Sequence, residues 1–140
     1  MGKTFIAVYE PYGNGAEPQI KSIYRGRTKE QDGISKLTVE HRQSGIVDHI
    51  VYSVLPEKES DYMGMKFKGT YSVLSFDGKE MKSLYIGNGL SFIIKGLKVV
   101  SVSGEPFNAC FELQNGILFY TADKELSIVT SYELKKRMIK

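Results

Sequence analysis

The chain has no tryptophan, a single cysteine, two histidines and four prolines in 140 residues. Each scarcity excludes something. Cys110 alone cannot close an intrachain disulfide, and Cys110, His41 and His49 are too few and too scattered for a zinc site built on thiolate and imidazole. No metal and no cofactor are expected. No apolar run approaches the roughly eighteen residues of a membrane span. The short run near Phe5 is too brief for a secretory leader, so the expectation is a cytoplasmic protein that avoids membranes. A P-loop, a dinucleotide fingerprint and a Gly-x-Ser-x-Gly elbow are all missing. His41 and His49 carry Gln43 and Val51 two places on, not the Ser or Thr of paired-histidine phosphodiesterases. Without an acid–base pair, an activated nucleophile or a metal cluster, the chain reads as non-enzymatic.

What is present is ordinary for a soluble domain: 41% hydrophobic and 25% charged residues. The length suits one domain over 1–140 with one core. A net charge of +3 is too mild to imply nucleic acid by itself. Fourteen glycines and nine tyrosines are the enriched types. Glycine serves turns, and tyrosine favours strands.

Asp77-Gly78, Asn88-Gly89 and Asn115-Gly116 each interrupt apolar or alternating runs, which predicts hairpin turns and an antiparallel meander. Ile20 to Arg25, Leu37 to His41, Met65 to Val73, Phe107 to Leu113 and Ile117 to Tyr120 read as strands. Phe5 to Tyr9 reads as a first strand stopped by Pro11. Gly69 interrupts the buried face of its strand and predicts a bulge or a close backbone approach. The apolar residues Ile46, Val47, Ile50, Val51, Val54 and Leu55 recur at spacings of one, three and four. That period predicts an amphipathic helix over 45–55, ended by Pro56, with His49 on its polar face. Glu133 to Lys140 predicts a short basic C-terminal helix. The expected fold class is therefore α+β: a mainly antiparallel sheet or partly closed barrel of about seven to nine short strands with two helices.

The segment Tyr24-Arg25-Gly26-Arg27-Thr28-Lys29 combines an aromatic ring, two guanidinium groups, a hydroxyl and an ammonium group. Arginine pairs bidentately with phosphate, and tyrosine can stack on a base. Tyr24, Arg25, Arg27, Thr28 and Lys29 are thus candidate ligand-binding residues, with Lys66 and Lys68 as a second basic pair. Tyr71, Tyr85 and other tyrosines are further candidates for a binding face. Cys110 reads as structural, and so do His41 and His49. The sequence points to a binding protein for a small anionic, nucleotide-like ligand. A protein-interaction module using an exposed sheet face is the alternative, a homo-oligomer is open, and nucleic acid ranks third.

Overall fold

The computed structural model describes residues 19–26 and 33–137. The expected strand at Phe5 to Tyr9 lies outside them. Eleven strands follow one another: β1 Ile20–Arg25, β2 Ile34–His41, β3 Ile46–Ser53, β4 Ser60–Tyr62, β5 Met65–Asp77, β6 Glu80–Ile94, β7 Leu97–Ser101, β8 Phe107–Gln114, β9 Ile117–Ala122, β10 Leu126–Thr130 and β11 Glu133–Lys136. All pairings are antiparallel except that of β9 with β11. No described residue is helical, so the fold is all β rather than α+β.

Two long strands make the architecture. The main path runs β1-β2-β3-β5-β6-β8-β9-β11. Beyond register shifts at Lys68/Gly69 and Ile86/Gly89, the start of β5 turns to pair with β4, and the end of β6 pairs with β7, which pairs with β10. One sheet thus supplies both layers of a sandwich-like domain. Gly69 has φ +154, and a Cβ there would lie 2.5 Å from Phe67 Cζ and 2.7 Å from Gly89 Cα. Two glycines let the long strands touch where they bend, which is the close approach expected at Gly69.

The core fills the space between the layers. Phe67, Phe92, Phe107, Phe111, Leu74, Leu84, Ile86 and Leu118 are essentially inaccessible. One inward row crosses the larger layer partner by partner: Thr38, His49, Leu74, Leu84, Phe111, Tyr120.

The expected helix at 45–55 is instead β3, hydrogen-bonded between β2 and β5. His49, Val51 and Ser53 face inward, while Ile46, Asp48, Ile50 and Tyr52 take the other face. Apolar residues on both faces of a strand produced a false helical period, and the β-branched side chains favour the extended state. Val54 and Leu55 lie beyond the strand and are exposed. His49 is a buried strand residue, not one on a helix's polar face. The expected C-terminal helix is likewise overturned: Glu133–Lys136 pairs in parallel with Ile117–Tyr120. Asn88-Gly89 is not a hairpin but a bulge inside β6, with Asn88 at φ 49. Asn115-Gly116 is a two-residue hairpin with both φ angles positive, as the turn chemistry requires.

Candidate functional site

The larger layer has an outer face that turns away from the core. Side chains alternate along a strand, so the neighbours of the inward row project outward. Across the pairing registers, Tyr52 meets Tyr71, Val73 meets Tyr85, Tyr85 meets Cys110, and Glu112 meets Phe119. Tyr52 and Tyr85 are 46% and 42% exposed, which is high for tyrosines in the middle of a sheet. Tyr71 and Tyr85 meet edge to face, with ring centroids 5.9 Å apart. Gly87 lies beneath them: a Cβ there would sit 3.3 Å from Tyr85 Cε1 and 3.6 Å from Tyr71 Cβ.

Beside Tyr85 lies a shallow cleft of about 370 Å³, lined by Val73, Ser83, Cys110, Phe119 and Arg137 among others. Its far wall is held by charge. The Arg137 guanidinium stands 4.5 Å from the Phe119 ring centroid, and Arg137 Nη1 donates to Glu112 Oε2 at 2.8 Å. Cys110 is exposed on the cleft floor rather than packed in the core. The result is an aromatic strip with one guanidinium at its end.

A second cleft of about 380 Å³ opens on the inner side of the same layer, near β4. Tyr24, Glu40, Tyr62 and Met63 line it, with Thr38 and His49 at its floor. His49 Nδ1 and Thr38 Oγ1 are hydrogen-bonded at 2.9 Å, and Thr38 Oγ1 bonds in turn to the Tyr62 hydroxyl. Burial pushes the His49 imidazole below its ordinary value, and the nearby Asp48 charge opposes that shift more weakly.

The other histidine braces strands. His41 Nε2 lies 2.7 Å from Asp48 Oδ2, and Ser75 Oγ donates to Asp48 Oδ1. The carboxylate is the central member, so the serine has no hydrogen bond to a ring nitrogen and gains no activation.

Among the described residues, those expected from sequence do not gather on one surface. Tyr24 lines the inner cleft, whereas Arg25 points to the opposite face of β1, as successive strand residues must. Lys66 and Lys68 share the outer face of the smaller layer. Arg27, Thr28 and Lys29 lie outside the described residues. The aromatic strip was only half legible: Tyr71 and Tyr85 were candidates, while Tyr52 was hidden by the helical reading and Phe119 and Arg137 by missing the β9–β11 pairing.

Residues 20–112 match the model of the endo-acting ulvan lyase C-terminal domain. That is well over half of the 140 residues. The chain belongs to this family. No curated protein and no solved structure matches it. The ulvan lyase C-terminal domain match spans β1 to β7 and most of β8, and so contains Tyr52, Tyr71, Tyr85 and Gly87. It stops short of Phe119 and Arg137, which complete the cleft.

Proposed function

We propose that this domain is a non-catalytic binding module that holds a polysaccharide chain along Tyr52, Tyr71 and Tyr85, with ulvan as the first ligand to test. Exposed tyrosine rings offer rigid apolar area with a polar tip, which suits the C–H faces and hydroxyl rims of pyranose rings. Tyr52 and Tyr85 are exposed along this face. An endo-acting lyase cuts within a polymer, and a module working beside one gains from a surface that accepts mid-chain segments. The anionic ligand class expected from sequence is kept within this proposal, with the exposed cations Lys135 and Arg137 at the β11 edge as its partners. The nucleotide-like ligand draws no support from either cleft's lining.

The observation that carries this reading is the Tyr71–Tyr85 pair seated over Gly87 inside the family segment. Affinity electrophoresis in gels cast with ulvan tests it. The wild-type domain should be retarded, and Tyr71→Ala/Tyr85→Ala should run as in a plain gel. Equal mobility of the wild type with and without ulvan rejects this ligand. Competition by ATP would restore the nucleotide-like alternative.

A further inference from the structure

The inner cleft lies apart from the tyrosine strip, and its lining chemistry differs. We propose that it takes a single uncharged sugar ring, stacked on Tyr24 and hydrogen-bonded by the Tyr62–Thr38–His49 chain.

The cleft has room for one ring. About 380 Å³ is at the small end of ligand pockets, which run from roughly 300 to 1,000 Å³. The walls are mixed as sugar sites require. Tyr24, 53% exposed, offers a ring at the rim, and Met63 and Phe76 add apolar surface. The floor is polar and buried: Thr38 and His49 are 6% and 7% exposed. With Thr38 donating to one neighbour and accepting from the other, the three groups orient their protons in one of two ways. If Tyr62 donates to Thr38 and Thr38 to Nδ1, then Nε2 keeps a free N–H. If the chain runs the other way, the Tyr62 hydroxyl keeps a free O–H. Either way one end of the chain is left with a donor, while the opposite end can accept. A ring hydroxyl, which both donates and accepts, is the matching partner.

Charge selects against anions. Among the described lining residues Glu40 is the one charged group, and no lysine or arginine joins it there. A carboxylate or sulfate in the cleft would meet the like charge of Glu40 with no cation among those residues to pair it, and such burial is costly.

The experiment follows the two histidines of the chain by NMR of their ring nitrogens and carbon-bound protons. Methyl glycosides of glucose, galactose, mannose, xylose and rhamnose are titrated in, along with methyl glucuronide as the charged counterpart of the glucoside. At least one neutral glycoside should shift the His49 ring signals saturably and leave those of His41 in place. Tyr24→Ala should raise its Kd about tenfold, since 1.4 kcal/mol corresponds to a factor of ten. Tyr62→Phe keeps the ring and removes one end of the chain, and it should weaken binding in the same direction. Tyr85→Ala should change nothing here. The proposal is overturned if no neutral glycoside moves His49, or if the glucuronide binds as tightly as the glucoside. It is equally overturned if Tyr85→Ala abolishes the shift, because the sugar then sits on the tyrosine strip. Loss of ulvan retardation with His49 still responding would sink the function proposed above and leave this site standing.

Discussion

Tyr71 and Tyr85 touch edge to face at 5.9 Å because Gly87, paired with Tyr71 and two residues from Tyr85 on the same strand, leaves the space between them empty of a side chain. Such a contact contributes about 0.5–1.5 kcal/mol beyond buried area. A double-mutant cycle of Tyr71→Ala and Tyr85→Ala in urea denaturation should return a coupling energy in that range. Tyr85→Ala alone should cost at least that coupling, since it removes one ring of the pair. A coupling of zero would mean the rings are independent and the strip is not pre-formed.

The bend shared by the two long strands makes a sharper prediction. Gly69→Ala puts a Cβ against Phe67 and the Gly89 backbone, so it should cost about 1–3 kcal/mol or more as overpacking. Gly116→Ala, at a turn with open space around it, should cost only about 1 kcal/mol for its positive φ. Comparison of the two urea midpoints checks the ordering. Equal losses would show that the close approach at Gly69 is not what limits that position.

Acid sensitivity follows from His49. Its imidazole is held below the ordinary value of 6.5 by burial, against the weaker pull of Asp48. The unfolded chain takes up a proton near pH 6.5, while the folded domain does so only at lower pH. Stability should therefore be level above that point and fall as pH drops below it, until folded His49 titrates. His49→Phe should flatten this part of the profile whatever it does to the overall melting temperature. His41 is present in both proteins, so the difference in slope reports His49. Thermal melts at intervals from about pH 7.5 to about pH 5 suffice.

Cys110 offers a footprint of the strip. It is the single cysteine, it is exposed, and it lines the cleft beside Tyr85. Saturating ulvan should slow its alkylation by iodoacetamide several-fold, and a bulky maleimide adduct should abolish retardation in ulvan gels. Unchanged alkylation with retardation intact would place the polysaccharide on another face, with Lys66 and Lys68 the next candidates.

Legibility in the sequence was uneven for identifiable reasons. Phe107 to Leu113 alternated cleanly because one face is core and the other solvent, and it is a strand. Asn115-Gly116 specified its turn because both residues need left-handed φ. β3 misled because apolar residues occupy both of its faces, which no single period can express. Its true phase has a direct check: Val51→Asp should unfold the domain, whereas Ile50→Asp, on the half-exposed outer face, should be tolerated better. Asn88-Gly89 carried a hairpin's chemistry but served a bulge, since β-bulges use the same backbone angles. The site was harder still. Tyr24 and Arg25 are adjacent in sequence and opposite in space, while Tyr71 and Tyr85 are far apart in sequence and in contact. Strand register makes that difference, and register was not readable from the residues alone.

The central claim is that the tyrosine strip binds polysaccharide. Isothermal titration of ulvan oligosaccharides into the wild-type domain and into Tyr71→Ala/Tyr85→Ala tests it most directly, with circular dichroism to confirm that the variant is folded. The account predicts saturable binding by the wild type and at least a hundredfold loss in the folded variant, roughly 2.8 kcal/mol at 1.4 kcal/mol per tenfold. A folded variant that binds as tightly as the wild type would contradict it.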